Sequence, residues 1–319
     1  MNAGRTLVTG ASGFLGRHLC AELGTGPAVL RALVRPGGAA IGPGVELATA
    51  TDLQDREAVR RAMRGVDQVV HLAARVHVMR ERAADPLAEF RRSNVEGSRV
   101  VLEEAVGAGV CRFVFLSSVK AVGEKGETRW TEAEAATPVD PYGISKLEAE
   151  RLVQWVAERA AMQWVILRLP LVYGPAMRGN MLRLFDLIAR GVPLPFGAVR
   201  NRRSFAYVGN AVGAIAAVLR PTMTASGVFF ASDDRDLSTA ELIRAIAHAL
   251  GRPARLVAVP PALLEPLARF SPAVARLVGS LAVDPSALTR AAGFSPRFTL
   301  EEGLDRTARW YRDRPRLTT

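Results

Sequence analysis

Apolar residues along this chain fall into two rhythms. Short, largely apolar runs at 6–9, 29–34, 45–48, 68–74, 112–116 and 164–167 predict strands, and the one at 68–74 is apolar apart from Gln68 and His71, as a strand buried on both faces should be. The stretches between them carry apolar positions at three- and four-residue spacing. They predict helices ending at Leu23, from about Asp55 to Gly65, from about Pro86 to Val106 and onward from Pro141. Strand and helix alternate through residue 170, which is the order of an α/β, doubly wound parallel sheet with ligands at the carboxyl ends of its strands.

Beyond residue 170 the rhythm changes. Helices are expected from Asn180 to Arg190 and from Val208 to Leu219, with a strand at Val228–Ala231 and a capping box, Ser238-Thr-Ala-Glu241, opening a helix to Leu250. A proline-interrupted apolar stretch from Leu256 to Val283 includes Arg269 and Arg276, with Arg255 just before it, and precedes a terminal helix from about Thr299. Helices packed as a smaller, mainly helical C-terminal domain explain that stretch, and contact with a membrane surface is the alternative. The expected division is 1–170 plus about 205–231 for the sheet domain, and 171–204 plus 232–319 for a substrate-binding domain.

Composition narrows the choice of partner. The net charge is +11, from 42 basic and 31 acidic residues in 319, with 49% hydrophobic content. The arginines are scattered among acids, as in Arg56-Glu-Ala-Val-Arg-Arg61, without an aromatic-basic stripe, so nucleic acid is not the expected partner. Cys20 and Cys111 lie in expected core elements without metal or disulfide spacing, which points to a reducing compartment and no metal site. The first strand begins by about Arg5, leaving no room for a signal peptide, and no apolar run is long enough to span a membrane. A cytoplasmic protein is expected.

Two constellations carry chemistry. The first strand is followed at once by Gly10-Ala-Ser-Gly13-Phe-Leu-Gly16 and then a helix. Gly10 suits a tight turn, Gly13 a close approach to a pyrophosphate and Gly16 close helix packing, so a dinucleotide is expected at this helix start. Arg35 stands at the end of the second strand, where an acid would favour NAD, so NADP is expected and NAD is the alternative. Asp52-Leu53 is placed to meet the adenine edge, with a simple helix-start role as the other reading of Asp52.

The second constellation is Ser118, Tyr142 and Lys146. A strand ends in Ser117-Ser118, and Tyr142 and Lys146 share a helix face four residues apart. A phenol of pKa about 10 needs acidifying to move protons at neutral pH, and Lys146, one of only three lysines with Lys120 and Lys125, is the expected cation. The polar segment from Lys120 to Asp140 reads as a loop over this site. His71 is expected to be packed rather than catalytic.

Taken together, Thr9-Gly-Ala-Ser-Gly-Phe-Leu-Gly16, His71-Leu-Ala-Ala74, Asn94-Val-Glu-Gly97, Ser117-Ser118, Tyr142-Gly-Ile-Ser-Lys146 and Arg168 with Val172-Tyr-Gly-Pro175 resemble the extended short-chain dehydrogenase/reductases. The resemblance implies a Rossmann-like domain with Ser118, Tyr142 and Lys146 as catalytic triad. It implies cofactor contacts from Gly10, Ser12, Gly13, Phe14, Leu15, Gly16, Arg35, Asp52, Leu53, Leu72, Ala73, Ala74, Tyr142, Lys146 and Pro170. Substrate contacts are implied for Asn180 and Arg203, with Lys120 reaching in from the loop. The runs Ser117-Ser-Val-Lys-Ala-Val-Gly-Glu124, Leu194-Pro-Phe-Gly197, Asn201-Arg-Arg-Ser204 and Asp236-Leu-Ser-Thr239 are similar to those of 4-epimerases and 4-keto reductases of UDP-activated amino sugars.

Within the family pattern three departures stand out. Val119-Lys120 follows Ser118 where dehydratases carry an acidic pair, Leu171 replaces a usual asparagine, and no arginine-glycine-acid motif is visible near Asp284. The first makes dehydration an unexpected activity, and the other two remove part of the family's diphosphate grip, which Lys120 is expected to replace from the loop. The expected enzyme is an NAD(P)-dependent 4-keto reductase, with a 4-epimerase as the alternative and a catalytically silent NADP-sensing regulator as a remote rival. A homodimer is expected.

Overall fold

The computed structural model describes residues 4–26, 28–38, 41–76 and 83–314. Its first half runs β1 (Thr6–Thr9), α1 (Phe14–Leu23), β2 (Leu30–Val34), β3 (Val45–Thr49), α2 (Arg56–Met63), β4 (Gln68–His71), α3 (Pro86–Arg91), α4 (Gly97–Gly107), β5 (Arg112–Ser118), β6 (Arg129–Trp130), α5 (Pro141–Arg159) and β7 (Gln163–Leu169). The second half continues through β8 (Leu171–Tyr173), α6 (Asn180–Ala189), β9 (Phe205–Tyr207), α7 (Val208–Val218), β10 (Gly227–Phe230), α8 (Thr239–Leu250), α9 (Pro261–Phe270), α10 (Pro272–Val278), β11 (Ala282–Val283), α11 (Ser286–Ala292) and α12 (Leu300–Asp313).

Seven strands form one parallel sheet in the order β10-β7-β5-β4-β1-β2-β3. The order reverses between β1 and β4, the switch point at which a doubly wound sheet opens a crevice. Successive residues of each strand feed opposite faces. Val8, Ala32, Val70, Val114 and Val165 join one core with α1, α7, α6, α8 and α12, whereas Leu7, Leu33, Val69, Phe113 and Ile166 join a second core with α2, α4 and α5. The expected α/β doubly wound sheet is therefore present, buried on both faces through its central strands, while the edge strand β3 leaves Glu46, Leu47 and Thr49 exposed.

Three local expectations change. The helix expected from Pro86 to Val106 is interrupted by a π-helical turn at Arg92–Glu96. Asn94 lies in that turn, fully buried, accepting from the Arg75 N–H at 2.7 Å and donating to the Arg75 carbonyl at 3.1 Å and Ser145 Oγ at 2.9 Å. The wide turn places that amide where it holds the loop after β4 against α5. Second, Cys111 is exposed at the turn before β5, where its thiol contacts the Asp67 carbonyl, while Cys20 alone is buried, its thiol pushed up to about 11 by burial. Third, Asp52 does not start a helix: it caps a short turn through the Gln54 N–H at 3.1 Å, and Asp55 caps α2 through the Ala58 N–H at 3.1 Å.

No helix among the described residues is long and apolar enough to cross a membrane, and none of their His, Cys, Asp and Glu side chains group into a metal site.

Candidate active site

The sheet's carboxyl edge collects the expected residues. β5 runs two residues further than its apolar core predicted, so Ser117 and Ser118 are its last residues and present side chains to opposite faces. Ser118 Oγ accepts from the Lys120 N–H at 3.2 Å and lies close enough to the Tyr142 phenol to favour its ionisation. α5 begins at Pro141, with Asp140 as its N-cap accepting from the Gly143 N–H at 2.8 Å. Tyr142, Lys146 and Glu150 then recur at one per turn along the face turned to β5.

Glu150 was not foreseen, although it continues the Tyr142–Lys146 spacing by one more turn. It is buried and accepts from Ser117 and from the Arg168 guanidinium at 2.7–3.2 Å. Arg168, in β7, is also buried and lies 5.7 Å from the Phe230 ring. This ion pair is closed on both sides, the condition under which a buried charge is tolerated.

Electrostatics depart from the expected acidified phenol. Burial pushes the Tyr142 phenol up to about 12, opposed by the neighbouring Ser118 hydroxyl and reinforced by the charges of Asp140 and Glu150. Lys146 does not lower it. Its ammonium donates to the Leu116 carbonyl at 2.6 Å, sits 4.0 Å from the Phe115 ring centroid, and is itself pushed down to about 7 by burial, with Glu150 pulling it back up. A lysine so desolvated carries only part of its charge at neutral pH.

The glycine turn lies beside this site. Gly10 adopts φ +69°, and a Cβ there would lie 2.6 Å from the Ala73 N. A Cβ at Gly16 would overlap the Gly10 carbonyl and lie 2.7 Å from the Ala11 Cα, so only glycine lets α1 close on the turn. Gly13 caps α1 with no side-chain hydrogen bond and no acid in the first turn, which leaves the first N–H groups for an anion. Ser12 is exposed on this turn, and Phe14 and Leu15 open α1.

Leu72, Ala73 and Ala74 follow β4 directly, tied to β1 by the Thr9 carbonyl and hydroxyl at 3.2 and 3.3 Å. Arg35 follows β2, is exposed, and makes no ion pair among the described residues. Leu53 packs against Gly97, and Pro170 continues β7 at the same edge. The cradle therefore fits the pyrophosphate and adenosine of a dinucleotide.

His71 is a packed residue, as expected. Its Nδ1 meets Thr9 Oγ1 at 2.8 Å and its Nε2 meets Ser98 Oγ at 2.9 Å, and burial pushes it down to about 3.

The substrate candidates are divided. Lys120 is not free: its ammonium pairs with Glu124 at 2.7 Å and with Asp140. Burial and a hydrogen bond with Asp140 raise the Glu124 carboxyl. For Asp140 burial opposes ionisation, yet bonds from Glu124, Lys120 and the Gly143 N–H hold it well below the carboxylate range. Arg203 donates to the Gly279 carbonyl at 2.9 Å and is pushed down to about 10 by burial, with the Glu124 charge opposing. Glu124 thus pairs with Lys120 directly and acts on Arg203 through its charge alone. Asn180 opens α6 and is exposed on a different element. A separate open cavity of about 1180 Å³ is bounded by α6, α8 and α12 and holds none of the triad.

The family model for the NAD-dependent epimerase/dehydratase family matches residues 6–228, which spans the glycine turn and the triad. The chain belongs to that family. Over 315 residues it is 36% identical to a UDP-glucose 4-epimerase of Vibrio cholerae, covering 95% of this chain and 94% of the relative. It is 28% identical over 282 residues, 83% of each chain, to the N-acetyl-alpha-D-glucosaminyl-diphospho-ditrans,octacis-undecaprenol 4-epimerase of Escherichia coli O157:H7. Among solved structures, MoeE5 in complex with UDP-glucuronic acid and NAD superposes with a TM-score of 0.79 at 28% identity, covering 97% of this chain and 99% of that one. The chain is thus a member of an NAD-dependent enzyme family of nucleotide-sugar epimerases and dehydratases.

Proposed function

We propose that this family member is a 4-epimerase of a UDP-activated sugar. The observation that carries this reading is the complete Ser118–Tyr142–Lys146 set at the sheet's carboxyl edge, in a chain 36% identical over nearly its full length to a UDP-glucose 4-epimerase. A 4-keto reductase would use the same residues, and no feature of the site singles it out. Dehydration has weaker support, because Val119-Lys120 follows Ser118 and Lys120 is committed to Glu124 and Asp140.

When bound, the nicotinamide supplies the hydride acceptor and donor at carbon 4. The chain's own residues handle the proton. Tyr142 Oη exchanges it with the sugar oxygen, Ser118 Oγ bonds both that oxygen and the phenol, and Lys146, recharged as anionic groups enter, favours the phenolate. Gly10, Gly13 and Gly16 admit the pyrophosphate to α1. Because epimerisation returns the hydride, either dinucleotide supports it, and Arg35 supports NADP over NAD. Arg203 is the candidate diphosphate clamp, and residues 171–204 and 232–314 supply the sugar side of the cleft. Two copies are expected to associate.

A second reading of the substrate has two supports. The relative acting on a polyprenyl-diphosphate sugar and the outward apolar face of α9, where Leu263, Leu267 and Phe270 are exposed, support a lipid-carried sugar. Proton NMR of UDP-glucose, UDP-N-acetylglucosamine and their C4 epimers with purified protein tests the main reading. Catalytic interconversion of either pair supports it, and inertness toward both pairs rejects it.

A further inference from the structure

α9 is built inside out. At 100° per residue, Leu264 and Ala268 share the side turned to the protein, and Leu264 alone is fully buried. Ala262, Leu263, Pro266, Leu267 and Phe270 fall on the opposite side across an arc of about 140°. Leu263, Leu267 and Phe270 are 68%, 58% and 89% exposed. Its two charged residues, Glu265 and Arg269, lie on one flank. A helix that packs on a globular body normally presents the reverse pattern, and Val257 in the segment leading to α9 is exposed as well.

The surroundings are basic. Residues 252–283 carry Arg252, Arg255, Arg269 and Arg276 against the single acid Glu265, a net charge of +3 (4 − 1) in a chain of +11. A two-fold contact would set this patch against its own copy, bringing like charges together around the apolar face. An anionic bilayer relieves both the apolar exposure and the charge.

The hairpin also borders the substrate side of the site. The Gly279 carbonyl, just after α10, receives Arg203 at 2.9 Å and Asn201 at 2.8 Å, and the Gly126 N–H bonds the Ser280 carbonyl at 3.0 Å. We propose that the α9–α10 hairpin seats the enzyme on an anionic membrane surface, with Leu263, Leu267 and Phe270 at the acyl boundary and Arg255 and Arg269 on headgroup phosphates. The cleft beside Arg203 then opens at the lipid–water boundary. The docking is independent of which reaction the site performs at carbon 4.

Sedimentation of the full chain with phosphatidylglycerol–phosphatidylethanolamine vesicles, against phosphatidylcholine vesicles, tests this without any sugar present. The protein should partition onto the anionic vesicles at least about tenfold more strongly and be released by high salt. Leu263→Ser/Leu267→Ser/Phe270→Ser and, separately, Arg255→Glu/Arg269→Glu should each weaken binding by about tenfold or more while dinucleotide binding persists. Absence of wild-type binding to the anionic vesicles overturns the proposal, as does undiminished binding by both folded variants. An oligomer that the serine variant splits into smaller species, with no vesicle binding by the wild type, overturns it in favour of a second copy covering α9.

Discussion

Replacing Tyr142 by Phe removes one oxygen from the centre of the site and leaves the ring's edge contact with Phe90, at 6.0 Å between centroids, in place. Turnover should fall by at least ~100-fold, the scale of general acid/base assistance, while dinucleotide affinity measured by titration calorimetry stays within a few-fold. Retained turnover would remove Tyr142 from proton transfer. Arg35 is the second decisive side chain. With no acid at the end of β2 to accept from a ribose hydroxyl, NADP should bind more tightly than NAD, and Arg35→Ala should narrow the gap by roughly 1.5–3 kcal/mol, the worth of a charge-assisted bond. Equal affinities in the parent protein would show that Arg35 faces solvent with the cofactor bound. The places of both residues in the fold, Tyr142 one turn before Lys146 on α5 and Arg35 just after β2, were legible in the sequence. The state of the phenol was not, because burial of Tyr142 and Lys146 depends on how deeply α5 packs on β5, and a sequence pattern does not give that depth.

At the scale of elements, α5 is locked to the sheet by the Ser117–Glu150–Arg168 network. Glu150→Gln leaves the Arg168 guanidinium buried without a counter-charge, so unfolding free energy by denaturant titration should drop by about 3–5 kcal/mol. A loss below about 1 kcal/mol would show that water reaches Arg168. Sequence reading missed this pair because its partners lie 18 residues apart on different elements. It missed the π-helical turn at Asn94 for a related reason: the apolar rhythm continues through it, and the Asn94 bonds to Arg75 and Ser145 join elements distant in the chain. β1, β4 and α4 are tied in turn by His71 between Thr9 and Ser98. His71 is held neutral in the fold to about pH 3, below the usual value near 6.5. Its contribution is therefore fully present above about pH 6.5 and is lost as pH falls toward 3, at up to about 1.4 kcal/mol per pH unit. Urea titrations between pH 7 and pH 5 should show that slope, and His71→Gln should flatten it. An unchanged slope in the variant would assign the acid loss to other groups.

For the whole molecule, the alternation of strands and helices was enough to anticipate the parallel sheet, the glycine turn and the site's place at the carboxyl edge. The second half was less legible, because short strands such as β8, β9 and β11 carry no period of their own and are positioned by partners distant in the chain. The neutralisation of Lys120 by Glu124 and Asp140 belongs to the same class, since it forms only once the loop folds over α5. The central claim, that hydride leaves and returns at one carbon of a UDP-sugar, is tested most directly with UDP-N-acetylglucosamine and UDP-glucose deuterated at carbon 4. Under the epimerase account the C4 epimer forms catalytically, keeps its deuterium at carbon 4, and leaves no net change in the absorbance of reduced nicotinamide. Failure to form either epimer, together with stoichiometric consumption of NADPH by a UDP-4-keto sugar and transfer of deuterium from labelled cofactor into the product, would contradict it and identify a 4-keto reductase.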